Sequence, residues 1–150
     1  KMGDYLSIGT YEGTVKRIEI LATTLSTFDN KEVIIPNSKI TSDVVVNFTS
    51  SGTRRLDLSY GVSYQADLKR AKELLRELVE ADQRTLNDPE PLIAVGELKD
   101  SSVTVVAKFW CKQEDYWPIY YSMQEGVKEA FDREGISIPY PQLDVHLQQP

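Results

Sequence analysis

The chain has 150 residues, is 41% apolar and 27% charged, and carries a formal net charge of −6. That length suits one domain of average size or two small ones, and the longest aliphatic runs fall far short of the ~18 residues a membrane span requires. A single cysteine excludes an internal disulfide, and net charges of −1 over residues 1–52 and −5 over residues 53–150 supply no basic field for a nucleic-acid backbone.

Met2 stands behind Lys1, so the chain is expected to be a piece of a longer protein, and no signal peptide is visible. Tyr5–Gly9 alternates and ends on a glycine, as a strand entering a turn does. From Val15 to Thr27 the chain is rich in β-branched residues, which predicts one long or bent strand with a bulge near Ile18–Leu21, where the period wavers. Asp29-Asn30 predicts a two-residue hairpin turn, because both residue types tolerate positive φ. Glu32–Ile35 is the return strand. Pro36 has no N–H and fixes its own φ, so that strand ends there. Asn37 and Ser38 favour a tight turn or one turn of helix before the apolar strand Val44–Phe48. Five short strands in residues 1–52 make a small β-barrel.

In residues 53–150, Arg54–Ser63 alternates as a half-buried strand. Asp67 is an N-cap, and Leu68, Ala71, Leu75, Leu78 and Val79 form one face of a helix ending near Asp82. Its Lys69, Glu73 and Glu77 read as a solvated surface. Pro89 and Pro91 break the chain, Leu92–Leu98 and Val103–Cys111 form a hairpin, and Lys99–Ser102 is its turn. A second helix starts near Pro118, buries Ile119, Met123, Val127, Ala130 and Phe131, and ends at Gly135 as a left-handed residue. Ile136-Ser137-Ile138 predicts a short edge strand. Strand, helix, hairpin, helix, strand is the split βαβ, ferredoxin-like order. Leu143–Leu147 alternates beyond the Pro-Tyr-Pro break as an extra strand with no place in that sheet, so its partners are expected in another chain. The fold class is therefore α+β, a β-barrel followed by an αβ domain.

Catalytic constellations are sparse. His146 has no Ser or Cys at a nucleophile spacing, and Cys111 ends an apolar strand where burial makes it inert. No cluster has metal-ligand spacing and no glycine-rich phosphate loop accompanies Arg54 and Arg55, so neither an enzyme nor a cofactor is expected. Trp110, Tyr116, Trp117, Tyr120 and Tyr121 read as a core edge or subunit contact. Lys16, Arg17, Lys31 and Lys39, with Tyr11 and Phe28, are too scattered for RNA binding.

Four stretches in order, GDYLSIG with EGTVKRIEILATTLST, then KEVIIPNSKI, YGVSYQADLKRAKELL and GISIPYPQLDVHL, resemble signature motifs of the small-conductance mechanosensitive channel (MscS) family, and the likeness covers nearly the whole chain. The resemblance implies an Sm-like β domain over residues 1–52, a ferredoxin-like αβ domain over 53–142, and an oligomerisation strand over 143–150. It also implies a homo-heptamer in a bacterial-type inner membrane. Tension gates such a channel, which releases ions and small solutes on hypo-osmotic shock, with this portion as a cytoplasmic vestibule with side portals. Transmembrane helices would precede Lys1. In that setting Pro36, Asn37, Ser38 and Lys39 form a loop coupling vestibule to gate, and Leu143, Asp144, Val145, His146 and Leu147 join copies of themselves in a small barrel. A soluble small-molecule-binding module with a ferredoxin-like domain is the alternative.

Overall fold

Gly9 sits at φ 59°, in the left-handed region, and turns β1 (Tyr5–Ile8) into β2 (Tyr11–Ile18) with Ile8 opposite Tyr11. A computed structural model describes all 150 residues, in two units, Lys1–Arg54 and Arg55–Pro150. The expected long strand of the first unit is in fact two strands. Glu19 N donates to the Ala22 carbonyl at 2.8 Å, closing a tight connection between β2 and β3 (Ala22–Ser26). The register shift lies earlier, between Val15 and Arg17. The period wavers at Ile18–Leu21 because Ile20 and Leu21 leave the sheet, not because a bulge re-aims them.

The next hairpin also differs from expectation. Thr27 N donates to the Lys31 carbonyl at 2.8 Å and Asn30 N to the Thr27 carbonyl at 3.0 Å, so the loop is the three residues Phe28, Asp29 and Asn30. Only Asn30 takes positive φ, at 63°, as in a type I turn closed by one left-handed residue. β4 (Glu32–Pro36) ends at the proline, and α1 (Asn37–Ser42) carries the chain to β5 (Val45–Asn47). The antiparallel sheet runs β4-β3-β2-β1-β5, which leaves β4 and β5 as its edges. Leu6, Ile8, Val15, Leu25 and Ile35 form the core, and Ile40 of α1 packs against it. One apolar contact thus holds the short helix to the sheet whose edges it connects.

In the second unit β6 (Thr53–Val62) leads to α2 (Leu68–Ala81), whose Asp67 cap accepts from Arg70 N at 3.1 Å. A two-residue strand, β7 (Thr85–Leu86), precedes β8 (Leu92–Leu98) and β9 (Val103–Lys112), and α3 (Tyr116–Arg133) closes the unit. β9 is central. It is flanked by β6 on one side and on the other by β8, from Leu92 opposite Lys108 to Leu98 opposite Val103, and by β7 opposite Cys111 and Trp110. Alternate β9 residues Val103, Val105, Ala107, Phe109 and Cys111 are buried in one core with the apolar stripes of α2 and α3. On α2 the fully buried residues are Ala71, Leu74, Leu75 and Val79, so Leu74 replaces Leu68 and Leu78 at the centre of the stripe.

Ile136–Ile138 does not form the edge strand expected of it. A single bond, Ser63 N to the Ser137 carbonyl at 2.9 Å, ties it to the end of β6. Pro139 and Pro141 follow at once and have no N–H to extend a ladder. Ile136 is nonetheless buried in the core, and Gly135, at φ 71°, makes the turn that puts it there.

Candidate functional site

Two places carry the weight of the sequence argument, the corner at Pro36–Lys39 and the tail at Leu143–Leu147. At the corner, the Asn37 side chain reaches back across the chain. Its Nδ2 donates to the Glu19 carbonyl at 2.8 Å and the Ile20 carbonyl at 3.0 Å, and its Oδ1 accepts from the Thr23 hydroxyl at 2.7 Å. The Asn37 backbone N–H adds a bond to the Leu21 carbonyl at 2.9 Å. Asn37 is therefore a latch that fixes the β2–β3 connection to the start of α1. Ser38 and Lys39 are exposed, and Lys39 also lines, with Tyr11, Ile34 and Pro36, an open groove of about 390 Å³ beside β4.

The latched connection displays Ile20 and Leu21, which are 95% and 82% exposed. Sequence reasoning missed this pair. Read as part of a strand, the two residues had one face to bury; at the tip of a turn they have none. Two adjacent large apolar residues held in water by four hydrogen bonds form an apolar patch that the folding of this unit does not bury.

At the tail, Gln142 N donates to the Ser101 hydroxyl at 3.1 Å, and beyond it no hydrogen bond ties the chain to the unit. Leu143 and Leu147 are 86% and 90% exposed, Val145 is exposed between them, and Asp144 lies 3.3 Å from His146. Apolar residues at every second position give one apolar face to a segment that takes up a strand.

The remaining candidates are held in other ways. Arg55 pairs with Asp57 at 2.7 Å, and the Arg54 guanidinium lies 4.8 Å from the centre of the Phe48 ring. Cys111 is fully buried opposite Thr85. Lys16 and Arg17 both face Glu32, which the Lys16 ammonium holds below the ordinary carboxylate range, and Lys31 pairs with Asp29 at 2.8 Å. Trp117 stacks on Tyr121 with Tyr116 and Tyr120 edge-on, at the first turn of α3. Burial pushes the Tyr60 phenol up, and Tyr120 nearby adds to the effect. Nearby in sequence, Arg84 clasps Asp82 through two bonds of 2.9 and 2.7 Å and lowers that carboxyl.

A β unit with a latched apolar tip is followed by an αβ unit with an unpaired alternating tail, and no group of three or more His, Cys, Asp or Glu is placed to hold a metal ion. The two units match two consecutive family models, "Mechanosensitive ion channel, beta-domain" over residues 1–50 and "Mechanosensitive ion channel MscS, C-terminal" over residues 56–138. The chain belongs to the MscS family of mechanosensitive ion channels. It is 40% identical over 149 residues to the small-conductance mechanosensitive channel of Edwardsiella ictaluri, covering 99% of this chain and 52% of that one. It is likewise 40% identical over 150 residues to an uncharacterized MscS family protein of Synechocystis sp., covering 100% of this chain and 51% of that protein. The crystal structure of Helicobacter pylori MscS in its closed state shares the fold, with a TM-score of 0.91 at 23% identity over 100% of this chain and 60% of that one. The chain spans about half the length of the curated relatives it matches. The relatives named here for a function are channels, not enzymes. No helix of the chain is long and apolar enough to cross a membrane.

Proposed function

We propose that this chain is the cytoplasmic vestibule portion of a tension-gated channel in a bacterial-type inner membrane. The channel releases ions and small solutes on hypo-osmotic shock, and seven copies of the chain form the vestibule. Family membership along both units is the observation that carries this reading. Residues 1–52 act as the β domain, 53–142 as the αβ domain whose copies leave side portals, and 143–150 as the assembly segment. Tension favours an open pore because that state has the larger in-plane area, a population shift between two states. The vestibule keeps the subunits in register and filters what enters the portals.

Within that scheme Pro36–Lys39 couples vestibule to gate, and the Asn37 latch gives the coupling a physical form. Asn37 itself is occupied internally, so the contact is made by Ser38 and Lys39 together with the Ile20-Leu21 tip that Asn37 holds in place. Leu143–Leu147 supplies one strand to a barrel shared by all copies, which satisfies backbone groups that a lone strand leaves open. Patch recording of the full-length channel in liposomes tests the coupling. Ser38→Glu is expected to shift the tension threshold or the inactivation rate. Unchanged threshold, conductance and inactivation in both Ser38→Glu and Leu21→Ser would refute it. Deleting Leu143–Pro150 is expected to lower the assembly mass without lowering the melting temperature of the αβ unit; an unfolded αβ unit would refute the role given to the tail.

A further inference from the structure

α2 carries its charges against its own dipole. Lys69, Arg70 and Lys72 lie in its first five residues, whereas its last turn has no basic residue and contains Glu80. Aligned peptide dipoles favour the opposite arrangement, with anions near the N-terminus and cations near the C-terminus. Arg70 is accounted for: it reaches Glu73 at 3.4 Å, Glu77 at 3.2 Å and Glu134 at 2.9 Å, a network that joins α2 to the end of α3. Lys69 and Lys72 have no carboxylate within ion-pair distance, although the chain as a whole has six more acidic than basic side chains.

These two lysines lie beside Arg76 in an open cavity of about 210 Å³, lined also by Glu73 and by Ile93 of β8. Positions 69, 72, 73 and 76 follow the i, i+3, i+4, i+7 spacing, so they project along one side of the helix. Ile93 is nearly buried and adds an apolar wall. Glu73 is engaged by Arg70, and Arg76 meets Glu80 only at 3.6 Å, a weak exposed pair that leaves most of its donors free to turn inward. The lining therefore presents three cations, Lys69, Lys72 and Arg76, against the single carboxylate of Glu73, which shares the Arg70 guanidinium with Glu77 and Glu134.

We propose that this cavity binds a phosphate group, free or as a small phosphomonoester. A planar guanidinium offers two parallel donors to phosphate oxygens, and two ammonium groups complete the neutralisation of a dianion. The volume lies below the ~300–1,000 Å³ typical of pockets for drug-sized ligands, which matches a single tetrahedral group better than a larger molecule. Bound phosphate would also offset the cost of positive charge at this end of α2. The site is independent of the Pro36–Lys39 corner and of the tail.

Titration of the whole chain with inorganic phosphate at neutral pH and constant ionic strength, followed by amide NMR, tests the assignment. Saturable shifts are expected along the first half of α2 and at Ile93. Half-saturation should rise about tenfold in Lys72→Gln and in Arg76→Gln, the loss expected for one charge-assisted hydrogen bond. Lys128→Gln, which removes a cation paired with Asp132 on α3, is expected to bind like the parent. Glycerol phosphate distinguishes the sources: binding at the same residues points to a phosphomonoester, and exclusion of the ester while phosphate still saturates points to the free ion. Shifts that drift without saturating, or parent-like binding in both α2 variants with the helix intact by circular dichroism, would overturn the proposal.

Discussion

Replacing Asn37 by alanine removes three side-chain hydrogen bonds at one position and leaves the backbone bond to Leu21 in place. A typical intramolecular bond contributes about 0.5–1.5 kcal/mol net, and leaving a buried hydroxyl without a partner costs about 1–3 kcal/mol. Thr23 is buried, so its bond to Asn37 carries the larger share, whereas the carbonyls of Glu19 and Ile20 can turn to water. A loss of about 2 kcal/mol for the β unit is the expectation. Asn37→Asp is the sharper variant, because it keeps an acceptor for Thr23 but faces two carbonyls with a carboxylate that has no proton to donate; it should cost at least as much as alanine at neutral pH. Both tryptophans lie in the other unit, so tryptophan fluorescence is unsuited, and native-state hydrogen exchange is the assay. Exchange at the amides of β3 and β4 should accelerate about thirtyfold, since 1.4 kcal/mol is a factor of ten. The second unit should be unaffected. A cycle with Thr23→Val isolates the buried bond, and the reasoning fails if Asn37→Ala and Thr23→Val are additive and exchange in the β2–β3 connection is unchanged.

Gly13→Ala places a Cβ 2.7 Å from the Ser26 carbonyl oxygen, a backbone atom that cannot rotate away. The β unit should lose about 1–3 kcal/mol, read as faster exchange in β2 and β3, and wild-type protection would contradict the packing described. The acid limb of the stability curve follows from Glu134, held down by the Arg70 guanidinium, and Asp82, held down by Arg84. Depressed carboxyls bind fewer protons in the folded state, so their contribution is complete above their ordinary values of 4.5 and 3.8 and is lost as pH falls through the lower folded values. Glu134→Gln with Asp82→Asn should flatten the fall in melting temperature below that window; an equally steep fall would place the acid sensitivity elsewhere.

Local chemistry made the second unit easy to read. α2 has a capping aspartate and a stripe at helical period, and α3 buries the five residues its spacing nominates, so few long-range facts were needed. β7 escaped because two residues carry no period; only its pairing opposite Cys111 and Trp110 makes it a strand. Ile136–Ile138 had the composition of a strand but lacked room to pair before Pro139. At the candidate site, Pro36 correctly marked the end of β4, whereas the function of Asn37 was out of reach. Its partners stand 17 and 18 residues earlier, in a connection whose own residues read as strand. A hydrogen bond across that separation has no signature in local periodicity, and the exposed Ile20-Leu21 tip depends on it.

The bond from Gln142 to the Ser101 hydroxyl fixes where the tail leaves its unit, and so sets a leash length. A fully extended chain covers at most about 3.6 Å per residue, so Leu147 can stand no more than about 18 Å from Gln142. In the proposed vestibule, the wall of any barrel in which several tails meet would lie within that reach of every β8–β9 turn. The radius of the proposed assembly at this level would therefore be bounded by chain length, before any contact between neighbouring αβ units is considered. Inserting a few glycines after Gln142 would relax the bound without touching a single packed residue.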